Sequence, residues 1–274
     1  MNSLFLNKKN NNKLILFFNG WSLDENIVKD LTTSEYDVIM FYDYSNLEID
    51  ENIVKEINSY KEINIVAFSF GVWACGYVLR HCEALNVGSD IECLPKQSCL
   101  LLQNINSRFK NVIAINGTLI PIDDKFGIPE KIFNLTLSTL SEKTYPRFFK
   151  NMFSGEADVD LHSKSNLKWK SKVGLPAHQQ KVDNALNASQ YDLEKFPNRT
   201  IENQRQELIQ IKDLSTDKNC AQNSNLFTKI FVGTNDKIIP AKNQMAFWGK
   251  ETKVIKKDFG HYMSFESWDE IIDA

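Results

Sequence analysis

The chain has 274 residues, 42% of them hydrophobic and 24% charged, with 11 Gly and 7 Pro. That composition belongs to a folded protein and excludes a disordered tail, a collagen-like repeat and a low-complexity array. Its 32 basic and 35 acidic residues leave a net charge of −3, which argues against general nucleic-acid binding, since that needs a clearly basic face.

In chain order, the first candidate element is Ser3–Leu6, expected as the edge of an antiparallel hairpin with the strand that follows the polar Asn/Lys segment. Continuous apolar runs then recur at Leu14–Phe18, Tyr36–Tyr42, Ile63–Phe68, Asn111–Ile115 and Lys229–Gly233, with a weaker one at Thr252–Ile255. Short runs of branched and aromatic residues, nearly unbroken by polar ones, suit strands buried on both faces of a parallel sheet. Asp24–Leu31 and Val72–Cys82 between them read as crossover helices. Strand and helix alternate, so the expected class is α/β, with a mostly parallel central sheet and helices on both faces. Two stretches break the rhythm. Glu83–Arg108 is longer than a crossover requires, and Leu119–Gln222 has no convincing buried strand. In the second, Ile128, Ile132, Phe133, Leu137 and Leu140 recur at helical spacing, as do the apolar positions of Arg205–Leu214. The expected organisation is a core of residues 1–118 and 223–274 with a helical cap inserted over residues 119–222.

The five cysteines, Cys75, Cys82, Cys93, Cys99 and Cys220, are odd in number and irregular in spacing. A secreted disulfide scaffold is smaller and denser in cysteine, so reduced thiols are expected. No Cys-x₂-Cys pair suggests zinc. Met1–Asn12 lacks the apolar stretch of a leader, and no apolar run approaches the ~20 residues of a membrane span. The expected setting is the cytoplasm, without a membrane or nucleic-acid partner and with the oligomeric state left open.

Chemistry enters at Ala67-Phe68-Ser69-Phe70-Gly71, one Ser between an apolar strand and a helix-forming run. A Ser on such a strand-to-helix turn is held in a strained backbone with its hydroxyl at the carboxyl edge of the sheet. Ala67 stands where Gly is usual, so the motif is degenerate, and a plain helix N-cap explains the Ser equally well. A Ser nucleophile needs a base, and the base needs an orienting acid. Of the four His, His81 lies about three turns down the following helix, and His162 and His178 sit in a polar Lys-rich stretch. His261 follows the last candidate strand, where Gly260 allows a sharp turn. Asp236 follows the strand before it, after Gly233, although a turn Asp in that position is also common. The order Ser69, Asp236, His261, each just past a separate strand, favours the triad of an α/β-hydrolase. The oxyanion donors would then be the amides of Phe70 and of Trp21, the latter in the Asn19-Gly20-Trp21 turn. No Gly-x-Gly-x-x-Gly and no phosphate loop is present, so no cofactor is implied.

Phe17-Phe18-Asn19-Gly20-Trp21, Met40-Phe41-Tyr42-Asp43-Tyr44, the elbow about Ser69, Asn116-Gly117-Thr118 and Asp123-Asp124-Lys125-Phe126-Gly127-Ile128-Pro129 together resemble the BioG-type pimeloyl-[acyl-carrier protein] methyl ester esterases of biotin synthesis. Asn235-Asp236-Lys237-Ile238 and Gly260-His261-Tyr262 extend the likeness towards the C-terminus, whereas Glu83–Arg108 and much of Ser154–Thr200 fall outside it. The resemblance implies a serine carboxylesterase that attacks a methyl ester at the far end of a pimeloyl chain borne on acyl-carrier protein. Methanol would leave first, and water would then free the ω-carboxylate. Because the carrier is acidic, a basic docking patch is expected. Ser141–Lys172 holds seven basic residues (Lys143, Arg147, Lys150, Lys164, Lys168, Lys170 and Lys172) against four acidic ones. Lys143, Arg147, Lys150, Lys168 and Lys170 are the expected carrier contacts, although a solvated face reads the same way. A thioesterase or short-chain esterase of the same fold, and an inactive carrier-binding module, are the competing readings.

Overall fold

In the computed structural model the described residues are 1–84, 108–153, 196–216, 225–249 and 253–274. Seven strands form one sheet in the order β1-β3-β2-β4-β5-β6-β7. They are β1 (Asn2–Asn7), β2 (Lys13–Phe18), β3 (Tyr36–Tyr42), β4 (Glu62–Phe68), β5 (Phe109–Ile115), β6 (Lys229–Gly233) and β7 (Val254–Lys257). Only β1 runs antiparallel; every other pairing is parallel. The near-continuous apolar runs are therefore buried as expected, with Leu14, Ile15, Val38, Ile39, Ile63, Ile65, Val66 and Ile113 inaccessible to solvent. Each such side chain contributes roughly 1.5–3 kcal/mol by leaving water.

β1 departs from the expected hairpin. It pairs with β3, Ser3 opposite Phe41 and Leu4 opposite Met40, and not with β2, the next strand in the chain. β2 is already flanked on both sides by parallel partners, β3 and β4, so the edge lies at β3. The connection from β2 to β3 also differs from a full crossover helix: it holds a single 3₁₀ turn, Glu25–Val28, capped by Asp24, whose carboxylate accepts the Asn26 amide at 3.0 Å.

The helices are α1 (Glu51–Asn58), α2 (Phe70–Ala84), α3 (Glu130–Thr139), α4 (Tyr145–Phe153), α5 (Ile201–Leu214), α6 (Ala241–Trp248) and α7 (Trp268–Asp273). Among the described residues between β5 and β6, three helices, α3, α4 and α5, form and no strand does. α5 is tied to α3 by Arg205, which donates to the carbonyls of Leu137 (2.8 Å) and Leu140. α4 presents Tyr145, Phe149 and Met152 inward and Arg147 and Lys150 to solvent. Its aromatic face meets Phe196, with ring centroids 5.0 Å apart at Phe149, and reaches the loop after β2 through Phe148 and Trp21, also at 5.0 Å. Most of Glu83–Arg108 lies outside the described residues. None of the described helices is long and apolar enough to cross a membrane.

This order sets the site. The chain leaves β2 toward β3 on one side and returns through α1 to β4 on the other, so the loops after β2 and β4 diverge about a crevice at the carboxyl ends of adjacent strands, the usual ligand position in open α/β sheets.

Candidate active site

Ser69 follows β4 directly and precedes α2, at φ +57°, in the left-handed region that a residue with a side chain rarely occupies. The turn is held shut by close backbone approach. The Ser69 amide donates to Ile115 O (2.9 Å), and a Cβ on Gly71 would fall 2.2 Å from Phe18 O. Only Gly fits there, because the first turn of α2 rests on the end of β2. A Cβ on Gly117 would likewise lie 2.3 Å from Ser69 O, so the loop after β5 braces the same turn. The degenerate Ala67 is no obstacle: it sits within β4, fully buried, opposite Phe18 and Ala114.

The Ser69 hydroxyl does not cap α2. Its Oγ lies 2.9 Å from His261 Nε2, and His261 Nδ1 lies 2.8 Å from Asp236 Oδ2. The three side chains come from the loops after β4, β7 and β6, and His261 is 98% shielded from solvent. Asp236 is held as firmly as it holds. Its Oδ1 accepts the amides of Ile238 (2.8 Å) and Ile239 (2.9 Å), and Oδ2 also accepts Gln244 Nε2 at 2.8 Å. The ring is thereby set with Nδ1 turned to the carboxylate and Nε2 facing Ser69 Oγ. Gln244 is set in turn by donating to Ile239 O at 2.8 Å.

Asn116 holds the loop that carries His261. At φ +47° it accepts the Gly233 amide (2.7 Å) and donates to Gly260 O (3.0 Å) and His261 O. One fully buried side chain thus joins the ends of β5 and β6 to the His261 loop. Gly260 itself is outside the left-handed region, and its carbonyl is pinned by Asn116. Sequence reasoning noted Asn116-Gly117-Thr118 only as a motif and did not find Gln244. Neither residue type carries a spacing signal, since each acts through a fold-dependent contact.

Trp21 and Phe70 both line a cavity of about 480 Å³ together with Phe133, Leu140, Tyr145, Phe148, Leu208 and Ile238. A Cβ at Gly20 would lie 3.2 Å from Ser69 Cβ, which brings the turn after β2 against the nucleophile position. The walls come from α3, α4 and α5 above and from the sheet loops below. Arg147 and Lys237 lie at the same cavity. Lys143 and Lys150 are exposed beside it in the chain, whereas Lys168 and Lys170 fall outside the described residues, as do His162 and His178. His81 is carried on α2, away from the elbow end. Cys75 is buried on α2, and burial pushes its thiol pKa up, so it stays a neutral packing residue. Among the described residues no cluster of His, Cys, Asp and Glu could hold a metal ion.

The family model described as pimeloyl-ACP methyl esterase BioG matches residues 1–94 and 100–171. That match takes in Trp21, Ser69, Phe70 and Arg147 and ends before Asp236 and His261. It also runs through most of Glu83–Arg108, which the motifs alone leave outside the resemblance. The crystal structure of BioG from Haemophilus influenzae is 25% identical, covers all of both chains and superposes with a TM-score of 0.69. A malonyl-[acyl-carrier protein] O-methyltransferase of Bacteroides fragilis is 29% identical over 90% of this chain, and the chain spans 39% of that relative's length. A Pseudomonas aeruginosa hydrolase, 9% identical over 94% of this chain and 86% of its own with a TM-score of 0.54, shares the fold. With more than half of its residues matched by one family model, and an α/β-hydrolase sheet beneath them, the chain belongs to the pimeloyl-ACP methyl esterase BioG family.

Proposed function

We propose that this protein hydrolyses the methyl ester of a pimeloyl chain carried on acyl-carrier protein, through an acyl-enzyme on Ser69. The observation that carries the reading is the continuous relay from Ser69 Oγ through His261 to Asp236, at 2.9 and 2.8 Å, next to a largely apolar cavity of about 480 Å³ lined by Phe70, the residue after Ser69, and by Ile238, two residues after Asp236. An inactive carrier-binding module has no need of that relay, and its strained elbow costs on the order of 1–3 kcal/mol to hold.

In the first step His261 Nε2 takes the proton from Ser69 as Oγ bonds to the ester carbonyl carbon. The carbonyl oxygen becomes an oxyanion, met by the amides of Trp21 and Phe70. His261 then gives the proton to the departing methoxide, and methanol leaves. Water, deprotonated by the same nitrogen, attacks the acyl-enzyme; Ser69 recovers the proton and the free ω-carboxylate departs. Asp236 stays ionised throughout and stabilises the imidazolium formed in each step. Selectivity for the ester over the more labile carrier thioester is positional: the acyl chain runs into the cavity with its far end at Ser69, so the thioester remains outside. The charges at Lys143, Arg147 and Lys150 favour an acidic carrier at that mouth. The relative named for O-methylation of malonyl-carrier acts, by that name, on an acyl group borne by the same kind of carrier, which agrees with this reading.

The test offers purified protein methyl pimeloyl-carrier and the unmethylated pimeloyl-carrier side by side. Methanol release is expected from the first and no loss of thioester from the second. Faster loss of the thioester overturns the substrate assignment in favour of a thioesterase. Absence of Ser69-dependent labelling by a fluorophosphonate removes the serine mechanism altogether.

A further inference from the structure

The one fully buried carboxylate of α5, Glu207, takes no part in the relay, yet it ends on the loop that carries Trp21. Its Oε2 accepts the Ser22 amide at 3.1 Å and Arg199 Nη1 at 2.7 Å; its Oε1 accepts the Tyr44 amide at 3.0 Å. Both amides stand beside strained backbone, with Ser22 at φ +68° and Asp43 at φ +59°. Arg199 closes the set through its second nitrogen, 3.2 Å from Asp43 Oδ1. One turn earlier on α5, the Gln204 carbonyl accepts Trp21 Nε1 at 2.8 Å, and from α4 the Tyr145 hydroxyl lies 2.9 Å from Ser22 Oγ. Tyr44 returns the grip by donating its hydroxyl to Asn19 O at 2.6 Å. The segment Asn19–Ser22 is therefore suspended between the end of β2 and two helices that lie far away in sequence.

Burying a carboxylate and a guanidinium costs several kcal/mol each before their attraction returns it, and an apolar pair of similar volume often stabilises a core as well or better. What an apolar pair cannot do is accept two backbone amides in a fixed direction. We propose that Glu207, oriented by Arg199, is a positioning residue for the reaction: it holds Ser22 and Tyr44 so that the adjoining Trp21 amide faces the oxyanion of the tetrahedral intermediate. The proposal rests on the esterase reading above. Burial pushes the Glu207 pKa up and the Arg199 guanidinium opposes that rise, so the ion pair is an integral part of the hold. α5 and the proposed oxyanion loop thus form one hydrogen-bonded unit.

The experiment compares native protein with Glu207→Gln and Arg199→Lys. Readouts are kcat and KM on the methyl ester, the pH of the acid limb of kcat/KM, and affinity for a trifluoromethyl ketone analogue. Ser69 adds to that ketone to give an anionic tetrahedral adduct, so its affinity reports oxyanion binding. Glu207→Gln is expected to lower kcat and analogue affinity together by about 10²-fold, the scale of losing one oxyanion donor, with KM within twofold and the acid limb unmoved. Arg199→Lys, which keeps a charge beside Glu207 but gives up the guanidinium bridge to Asp43, is expected to lower both by about threefold to tenfold. If Glu207→Gln does not fold, Arg199→Lys decides alone. Analogue affinity and kcat within twofold of native in the folded variants overturn the proposal, as does a loss carried by KM or by a shifted acid limb. Native protein that neither hydrolyses the ester nor binds the ketone overturns the esterase reading itself.

Discussion

At the scale of single residues, the proposed relay makes unequal demands on its members. Ser69→Ala and His261→Ala remove the proposed nucleophile and base, and each is expected to lower kcat by about 10⁵-fold or more with the thermal transition retained. Asp236→Asn is expected to cost somewhat less, about 10⁴-fold, because the side-chain amide turned toward Nδ1 favours the wrong tautomer while the shape persists. Methanol release under saturating ester, with circular dichroism on each variant, checks both figures. Asn116→Ala strips partners from the Gly233 amide and the Gly260 and His261 carbonyls together. A loss of about 3 kcal/mol in urea unfolding is expected, with a fall in kcat, since a buried unmet polar group costs about 1–3 kcal/mol. Unchanged unfolding would mean that water replaces the Asn116 side chain.

At the scale of elements, the elbow depends on how α2 meets β2. Gly71→Ala would drive a methyl group to 2.2 Å from Phe18 O, against backbone and not against a yielding side chain. Expression of that variant is expected to give no folded, fluorophosphonate-labelled protein. The opposite edge depends on Asp37, fully buried in β3. Burial raises its pKa, but the amides of Lys9 and Asn11, at 2.9 and 3.2 Å, and the Tyr60 hydroxyl at 2.8 Å together bring it below the usual carboxylate value. A depressed folded pKa contributes stability that is complete above the unfolded value near 3.8 and is lost as the pH falls through the folded one. Tyr60→Phe should accordingly lower unfolding free energy by about 1–2 kcal/mol at neutral pH. That gap should narrow below pH 4, which urea titrations of both proteins across pH 3–7 would measure.

At the scale of the molecule, the basic face and the acidic total charge act together. The protein is −3 overall, yet Lys143, Arg147 and Lys150 are exposed around α4 and Arg147 lines the cavity. Replacing all three by Glu is expected to raise KM for carrier-borne ester by tenfold or more, the increase shrinking as ionic strength rises, because exposed charges steer encounter and are screened by salt. An unchanged KM at low salt would move carrier docking elsewhere on the surface.

The sheet was legible in the chain because its central strands are buried on both faces, and a two-sided burial writes itself as a near-continuous apolar run: Leu14–Phe18, Tyr36–Tyr42 and Ile63–Phe68 all form strands where those runs lie. Ser69 and Asp236 each stand just past such a run, whereas His261 follows the short, half-buried β7 and stood out only as the His after the last strand. The pairing of β1 with β3 could not be read locally, because adjacency along the chain favours β2, and only the filling of both β2 edges excludes it. Nor could Asn116, Gln244, Arg199 and Glu207 be found in advance. They act on atoms from 5 to 185 residues away, and a polar side chain acquires its meaning there only from the groups that folding leaves in need of a partner. The sequence by itself determined which segments must leave water and which loops could carry chemistry. The tertiary structure decided how those loops are held, because direction and distance between hydrogen-bonding groups exist only once the chain has closed upon itself.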